Sequence, residues 1–262
     1  LASDFHIQEN VPYKELIPFA ENIHSDRMLR ENNEKMRQEF TANVSHELKT
    51  PLTSISGYAE LIETGIAKPE DTPGFARKIH VEASRMIQLV NDILQLSHLD
   101  NVSETGAAPA METVDLLDVA RECVERQKVN ARHSYISLTY LGESAPVTGS
   151  RVLLDELCQN LCDNAIRYNR PGGKVQIITA CTRDGHCTLT VKDNGIGIPK
   201  EAQTSVFERF YRVDKSRSKA TGGTGLGLAI VKHIARIHNA RIKLDSVVDE
   251  GTTITVIFET AS

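Results

Sequence analysis

A long apolar periodicity, interrupted by one proline, constrains the fold of this chain more than any other feature. Apolar residues recur every three or four positions, as in a helix with one buried face. They are Phe40, Val44, Leu48, Leu52, Ile55, Ala59 and Ile62. Pro51 lies inside this run and disturbs the carbonyl of Glu47, so we expect a bend there. His46 lies about 200° around the helix from Val44 and from Leu48, so we predict that it faces solvent. A zinc-protease HExxH motif is excluded because Thr50 stands where the second histidine would be.

A second apolar run follows a turn that contains Pro69 and Pro73. It predicts a helix from about Phe75 to His98. The apolar positions of this helix are Phe75, Ile79, Ala83, Met86, Ile87, Val90, Ile93 and Leu94. Two antiparallel helices cannot bury two such wide stripes against each other alone. Two copies of the hairpin would form a four-helix bundle, so we predict a homodimer.

The segment before the histidine is strongly charged. From about Phe19 to Lys49 the pattern is helical, and only a thin apolar seam runs along it. Such a seam predicts a coiled-coil-like connector, with a solvated, free-standing helix as the alternative.

Composition argues against several classes of function. A net charge of −5 and a pI near 6.0 give no general affinity for nucleic acid or anionic membranes. The absence of tryptophan also argues against a base-stacking surface. No run approaches ~18 apolar residues, and no signal peptide is recognised. The chain begins at Leu1 rather than at a methionine, so we expect it to be a fragment.

The five cysteines contain no Cys-x-x-Cys pair; they are Cys123, Cys158, Cys162, Cys181 and Cys187. Cys158 and Cys162 lie four residues apart on a predicted helix, where a metal pair would lack its other ligands. We therefore predict small buried thiols in a reducing, cytoplasmic context.

The pattern changes after an aperiodic linker between Asp100 and Met111. Beyond it, helical and alternating patterns are interspersed. The predicted helices are 116–131, 151–168 and 226–238, and the predicted strands are 135–141, a short one around 147, 174–180, 187–192, 241–247 and 252–259. Asn239 is predicted to be the left-handed C-cap of the last helix. This arrangement predicts an α/β sandwich, one sheet with helices packed on one face.

Polar residues line one side of the helix that begins at Arg151. They recur at spacings of three and four, opposite an apolar face that contains Leu157. The polar set is Glu156, Asn160, Asn164, Arg167 and Tyr168. Asparagine is unfavourable in helix interiors, and neutral carbonyl oxygens suit a Mg²⁺ ion that already carries phosphates. An ordinary solvated face is the alternative.

Three further stretches point to a nucleotide, although each alone could be an ordinary turn or surface loop. Asp193 ends a predicted strand, where its carboxylate can accept a hydrogen bond from a base amine, and the glycines that follow permit close approach. The residues after Phe207 are rich in cations and predict a mobile lid over phosphates. The run from Gly222 to Gly227 opens a helix, where backbone N–H groups hold phosphate. That run is neither a Walker A loop nor a Rossmann fingerprint.

Together these stretches resemble the catalytic core of bacterial two-component sensor histidine kinases of the PhoR-like class, over about residues 38–260. The matching motifs are the H box at 46–51, the N box at 160–164, the G1 box at 193–197, the F box at 207–210 and the G2 box at 223–227. The resemblance implies a HisKA-type helical hairpin in a dimeric four-helix bundle, followed by a HATPase domain with the Bergerat α/β sandwich fold. The expected domains are an N-terminal segment and signalling helix at 1–38, a dimerisation and phosphotransfer domain at 39–100, a linker at 101–112 and an ATP-binding domain at 113–262. The segment Pro12–Leu16 is similar to the end of a HAMP linker.

The same resemblance implies roles for individual residues. His46 would be the phosphoacceptor, Glu47 the neighbouring acid or base, and Thr50 would support dephosphorylation of the partner. Asn164 would ligate Mg²⁺, with Asn160 and Glu156 supporting the metal and its waters.

The remaining motif residues would hold ATP. Asp193 would bind the adenine amine in a pocket shaped by Gly195 and Gly197. The residues expected near the base and the phosphates are Arg167, Tyr168, Arg212, Gly223, Thr224, Gly225, Leu226 and Gly227. The chain departs from the family at Arg167, where lysine is commoner, and at Asn239-Ala240, where two glycines are usual.

The implied activity is ATP- and Mg²⁺-dependent autophosphorylation of His46, followed by transfer to an aspartate in the receiver domain of a response regulator. The expected partners are a second copy and that regulator, with no nucleic acid. The chain would be the cytoplasmic portion of a membrane-anchored sensor, with the membrane reached only through a missing N-terminal part. Two alternatives stay open: an ATPase of the same nucleotide-binding (GHKL) superfamily, and a signalling scaffold dominated by phosphatase activity.

Overall fold

The computed structural model describes residues 17–105, 109–182, 184–213 and 223–259. The HAMP-like segment Pro12–Leu16, Gly222 and the cations at 215, 217 and 219 lie outside these ranges. The described residues form two compact units, divided between Glu82 and Ala83. No helix among them has the length and apolarity to cross a bilayer.

The first unit contains helix α1, Ile17–Glu63, and the start of helix α2, Thr72–Thr105. Helix α1 continues without interruption through Pro51, which is buried. The ring of Tyr58 stacks on Phe75 with 5.6 Å between centroids, and Nζ of Lys78 lies 5.1 Å from the Tyr58 ring. These contacts join the two helices close to the turn between them, as the predicted hairpin requires.

Helix α2 continues past the predicted boundary at His98. Its end at Thr105 makes residues 101–105 helical, so the helix continues seven residues beyond its predicted end and into the predicted linker. The sequence contains no glycine or proline between Leu99 and Thr105, and Gly106 is the first strong helix breaker.

The buried face of the second half of α2 also differs from the predicted stripe. Leu89, Leu96 and Leu99 are buried and share their stripe with Asp92. By contrast, the predicted stripe residues Ile87, Val90 and Leu94 are exposed, Ile87 and Leu94 at 63% each. The helix therefore carries two apolar faces, and the sequence pattern alone did not separate them.

The second unit is an α/β domain. Its remaining helices are α3, Leu116–His133, α4, Arg151–Arg167, and α5, Gly227–Ile237, with a short 3-10 helix at Lys200–Ala202. Its strands are β1, Glu112–Asp115, β2, Ser137–Gly142, β3, Pro146–Gly149, β4, Lys174–Cys181, β5, His186–Asp193, β6, Arg241–Val247, and β7, Gly251–Glu259. Asn239 follows α5 with φ of 50°, which confirms the predicted left-handed cap.

The main sheet has the order β2-β4-β5-β7-β6, in which only the β2–β4 pair is parallel. Strands β1 and β3 pair antiparallel in a separate two-stranded sheet. The prediction of a single sheet was therefore wrong in this detail. Strand β1 has only four residues, too few to show a clear alternation, and it lies at the end of the predicted linker.

Alternating side chains of the central strands form one wall of the core. Buried strand residues include Val175, Ile177, Leu189, Val191, Val256 and Phe258, and buried helix residues include Leu154, Leu157, Leu161, Ile230 and Ile234. The apolar sides of α3, α4 and α5 supply the opposing layer. The polar side of α4 is consequently left outside this core.

The cysteines divide into two groups. Cys123, Cys158 and Cys162 are free and buried, as predicted. Cys181 and Cys187 are joined by a disulfide, so the prediction of buried thiols was wrong for this pair. They are direct partners in the β4–β5 register, with Cα atoms 4.1 Å apart, and this proximity depends on strand pairing that the spacing alone did not reveal.

Candidate functional site

The imidazole of His46 is exposed on α1, as the helical periodicity predicted. Glu47, next in the chain, is half-buried. The hydroxyl of Thr50 donates a 3.3 Å hydrogen bond to the main-chain carbonyl of His46. This first part of the site thus presents a nucleophilic side chain to solvent, with a carboxylate and a hydroxyl within one helical turn.

A cavity of about 1110 Å³ opens in the second unit. Most of the residues predicted to bind nucleotide line it: Glu156, Asn160, Asn164, Arg167, Tyr168, Asp193, Gly197, Arg212, Gly223, Thr224, Gly225 and Gly227. Two predicted residues do not line it. Leu226 is fully buried in the core, and Gly195 packs behind the wall against the carbonyl of Tyr168. The sequence prediction thus identified twelve residues of the lining, which lie as far apart as residues 156 and 227. Other lining residues, among them Gln88, Asp92 and Gln127, were not predicted.

Helix α4 supplies the floor of the cavity because its two faces differ. Leu153, Leu157 and Leu161 are buried, and the polar residues at spacings of three and four face the opening. Nδ2 of Asn160 donates to the carbonyl of Glu156 at 3.0 Å, which leaves its Oδ1 on the cavity side, toward Gly227. The guanidinium of Arg167 pairs with Asp163 at 2.9 Å.

Glu156 has an unusual protonation equilibrium. Burial, and next the charge of Asp92, raise the pKa of its carboxyl group from 4.5 to about 7. A carboxyl group that is partly protonated near neutral pH, beside two asparagines, can accept, donate or assist a bound cation.

Asp193 lines the cavity from the end of strand β5. Its Oδ1 accepts the backbone N–H groups of Gly195 at 2.8 Å and Thr252 at 3.2 Å. Burial raises the pKa of this carboxyl group, and the two hydrogen bonds oppose that effect. Both bonds use the same oxygen, so Oδ2 is the atom left to accept a hydrogen bond from a ligand.

Glycines are required where the backbone around Asp193 is most crowded. A Cβ atom at Gly197, whose φ is 69°, would overlap the carbonyl oxygen of Val247. A Cβ atom at Gly251, whose φ is 124°, would overlap the carbonyl oxygen of Asp193. These close approaches hold strands β5, β6 and β7 together at the mouth of the cavity.

The F box and the G2 box meet through their backbones. The N–H of Phe210 donates to the carbonyl of Gly225 at 2.9 Å, and both residues have positive φ, 62° and 75°. Arg212 donates a hydrogen bond to the carbonyl of Gly223. These bonds hold Phe210 and Arg212 against Gly223 and Gly225, and of these four residues Arg212 and the two glycines line the cavity.

The start of α5 closes on the floor of the cavity. A Cβ atom at Gly227 would lie 3.0 Å from Oδ1 of Asn160 and 3.5 Å from Nδ2 of Asn164. The arrangement therefore combines a helix N-terminus, which attracts anions, with amide oxygens, which suit Mg²⁺. These donors fit a phosphate chain together with a magnesium ion.

Three important residues were missed by the sequence predictions, and the first two are Asp92 and Asp100. Asp92 accepts a 2.6 Å hydrogen bond from the hydroxyl of Thr224. Asp100 lies 2.7 Å from Nη2 of Arg209 and 3.5 Å from Nδ1 of His233. Asp92 could have been noticed as the single acidic residue in the stripe of Leu89, Leu96 and Leu99. We find no sequence signal for Asp100.

The third missed residue is His238, which supports the N-terminus of α4. Its Nε2 accepts the N–H of Ser150 at 3.0 Å, and its Nδ1 lies 2.8 Å from the carbonyl of Ile234. The ring therefore carries its proton on Nδ1. Burial lowers the pKa of His238, and the bond to Ile234 opposes this effect.

Comparisons with known proteins agree with this geometry. The sequence model described as the His Kinase A (phospho-acceptor) domain matches residues 36–102, and the one described as the Histidine kinase-, DNA gyrase B-, and HSP90-like ATPase matches residues 149–262. The sensor-like histidine kinase SenX3 of Mycolicibacterium smegmatis is 44% identical over 85% of this chain and 57% of its own length. The sensor protein kinase WalK of Staphylococcus haemolyticus is 40% identical over 84% of this chain and 36% of its own length. This chain therefore spans less than two thirds of the length of each of these curated relatives.

Solved structures give the same result. The mycobacterial sensor histidine kinase MprB is 32% identical, with a TM-score of 0.50 over 57% of this chain and 97% of its own. Histidine kinase ThkA, solved in complex with response regulator protein TrrA, has a TM-score of 0.69 over 91% of this chain and 66% of its own, at 22% identity, and supports the fold alone. The chain has an exposed histidine on a helical hairpin, and in the α/β domain that follows, one cavity combines both glycine motifs with the two asparagines. This chain therefore belongs to the two-component sensor histidine kinases.

Proposed function

We propose that this chain is the catalytic core of a sensor kinase that phosphorylates its own His46 from ATP and then passes the phosphoryl group to an aspartate of a response regulator. The observation that carries the proposal is the presence of two complementary parts in one chain: an exposed imidazole, and a cavity whose lining suits adenine at one end and phosphates at the other. The chain covers only part of its relatives, so the activity of the whole protein rests on this proposal.

At the phosphotransfer site, the unprotonated ring nitrogen of His46 attacks the γ-phosphorus in line with the leaving oxygen. The bond from phosphorus to the β–γ bridging oxygen breaks, with ADP as the leaving group, and the proton of the other ring nitrogen passes to Glu47 or to water. Solvent exposure of His46 is required because the γ-phosphate must approach it without displacing the helix core.

In the ATP-binding unit, Asp193 selects adenine by accepting its exocyclic amine on Oδ2. The N–H of Gly195 orients the Asp193 carboxylate from behind the cavity wall, and Gly197 lines the base pocket. The N-terminus of α5 and the glycines from 223 to 227 hold the phosphates. Asn164, assisted by Asn160 and Glu156, would hold Mg²⁺, which when bound neutralises charge that develops on the phosphates.

Two partners follow from the same residues. Leu52 on α1 is 56% exposed, and Ile87 and Leu94 on α2 are exposed at 63% each. Exposed apolar side chains on each helix are what a second copy would cover in a four-helix bundle. The phosphoryl acceptor would be the receiver domain of a response regulator, the kind of partner seen with ThkA. Relatives described as sensor kinases also support a membrane-anchored protein with this portion in the cytoplasm.

The proposed domain boundaries are unchanged: a signalling helix within 1–38, the phosphotransfer hairpin at 39–100, a linker within 101–112 and the ATP-binding domain at 113–262. The linker would then begin with the helical residues up to Thr105 and end where strand β1 begins at Glu112.

The test is incubation of the purified chain with γ-labelled ATP and Mg²⁺. We expect acid-labile label on the wild type and on the matched variant His80→Gln, whose histidine is also exposed but lies on α2. The variant His46→Gln should carry none. Label retained by His46→Gln would contradict the assignment, and phosphate release without any labelled protein would favour the ATPase alternative instead.

A further inference from the structure

A carboxylate occupies the rim of the phosphate-binding glycine loop. Asp92, on the second half of α2, is 7% exposed, and both of its oxygens accept hydrogen bonds. Oδ2 accepts from the hydroxyl of Thr224 at 2.6 Å, and Oδ1 accepts from Nε2 of Gln88 at 2.6 Å. Thr224 is 8% exposed and lies between the two glycines Gly223 and Gly225.

Through Thr224 the carboxylate reaches the backbone that receives phosphate. The same hydroxyl accepts the N–H of Leu226 at 3.3 Å, one residue before α5 begins at Gly227. An anion at this position is stabilised by the N-terminal end of the helix dipole, as a phosphate group would be. Asp92 also lines the cavity itself, together with Gln88 and Gln95 of the same helix.

The charge of Asp92 also acts on Glu156 of α4. It is the second cause, after burial, of the raised pKa of the Glu156 carboxyl group. Burial raises the pKa of Asp92 itself, while the bonds from Thr224 and Gln88 and the charge of Arg167 oppose that effect. A nucleotide whose phosphates enter the same space would face this negative charge at short range.

A second contact holds the same helix to the F box. Asp100, two turns after Asp92, pairs with Arg209 of the F box at 2.7 and 3.0 Å. His233 on α5 lies beside this pair, with Nε2 at 3.2 Å from Nη2 of Arg209. Arg209 of the F box and Thr224 of the G2 box are therefore each tied to α2 by an acidic residue.

We infer that Asp92 is an internal competitor of the nucleotide phosphates: its carboxylate holds the glycine loop through Thr224, and ATP must displace it to bind fully. Nucleotide binding and the docking of α2 on the loop then oppose each other, so ATP releases the helix and the helix lowers the affinity for ATP. This inference rests on the proposed function, since it takes the cavity to be the ATP site.

The expected coupling between ATP binding and the docking of α2 can be expressed as a change in ATP affinity. If the docked arrangement is populated about nine times in ten, the apparent dissociation constant for ATP is raised roughly tenfold over that of the free loop. Adenosine carries the base without phosphates and should meet no competition from Asp92. The effect is thus predicted to depend on phosphate.

The experiment measures binding of ATP and of adenosine to the full chain by titration calorimetry. In Asp92→Asn the side chain keeps its shape and an oxygen for Thr224 but loses its charge. We expect ATP to bind roughly tenfold more tightly and adenosine to bind within about twofold of the wild type. The variant Asp100→Asn, whose residue lies outside the cavity lining, should tighten ATP binding to a smaller degree.

The matched control is Asp118→Asn, which removes the same charge from an exposed position on α3 and should leave both affinities unchanged. Unchanged ATP affinity in both Asp92→Asn and Asp100→Asn would overturn the inference, as would an equal change for adenosine, which indicates general loosening. Folding is checked by circular dichroism, and Asp92→Ala replaces Asp92→Asn if the latter unfolds. A wild type that binds no ATP would overturn the proposed function as well, whereas a wild type that binds ATP without these shifts overturns this inference alone.

Discussion

Gly227 at the start of α5 lies directly against Asn160 of α4, so that a Cβ atom on the glycine would be 3.0 Å from Oδ1 of the asparagine. The two residues are separated by more than sixty positions, yet their contact joins the phosphate end of the cavity to the side chains proposed to support magnesium. The missing side chain at Gly227 is thus part of the site, because it allows the helix N-terminus to reach the amide oxygens.

This contact makes Gly227→Ala a test of the phosphate end. The added methyl group would press on Asn160 and displace its side chain by a few tenths of an ångström. We expect ATP affinity to fall roughly tenfold, equivalent to about 1.4 kcal/mol, while the melting temperature changes little. Calorimetric titration measures the affinity, and Gly57→Ala, where a Cβ atom meets nothing within 4 Å, is the control. Equal affinities in the two variants would show that the contact has no role in binding.

Gly197 offers a prediction about stability. Its φ is positive and a Cβ atom would overlap the carbonyl of Val247, whereas Gly172 also has positive φ, 82°, but open space around it. We expect Gly197→Ala to lower the free energy of unfolding by about 3 kcal/mol or more, and Gly172→Ala by about 1 kcal/mol. Urea unfolding followed by circular dichroism provides the comparison. Similar losses in both would mean that φ alone, and not the close approach, requires the glycine.

Thr50 and Thr53 make a matched pair for the phosphatase reaction. Both hydroxyls bond to the carbonyl four residues earlier, but the bond of Thr50 to His46 is 3.3 Å long and that of Thr53 to Lys49 is 2.9 Å. The longer bond is the easier to release, which leaves the Thr50 hydroxyl available to orient a water. We expect Thr50→Ala to slow dephosphorylation of the regulator at least ~tenfold while Thr53→Ala does not. A phosphorylated-regulator decay assay would contradict this if the two variants behaved alike.

His238 predicts a dependence of stability on pH. Burial lowers its pKa below the ordinary 6.5, so below pH 6.5 the unfolded chain binds a proton that the folded chain resists. The contribution of His238 to the free energy of unfolding is therefore complete above pH 6.5. It is lost as the pH falls toward the pKa that this histidine has in the folded chain. Burial lowers the pKa of His233 too, which adds a slope of the same sign.

The variant His238→Gln retains groups that can bond to Ser150 and Ile234 but cannot gain the proton. We expect it to unfold in urea with a shallower loss of stability between pH 6.5 and 5 than the wild type. An unchanged slope would show that the buried imidazole does not control the acid sensitivity.

Local patterns predicted most elements of the second unit to within a few residues. Helix α3 and strand β6 begin at the predicted residues, because their hydrophobic periods are regular and their ends are marked. Strand β1 was missed because four residues carry too little pattern. The prediction of the apolar stripe of α2 was only partly correct. This helix has one apolar face that is buried within this chain and a second that is exposed, and both follow the same helical period.

The sequence alone predicted that His46 would be exposed and that twelve polar and glycine residues would share one cavity, since both follow from helical spacing and from motifs in continuous stretches. It did not predict Asp92, which lines the same cavity. Only the tertiary structure decided which distant groups meet: Gly227 with Asn160, His238 with Ser150, and Asp92 with Thr224. The physical reason is that spacing fixes the direction of a side chain on its own element, whereas its partner depends on how elements pack, which no local period encodes.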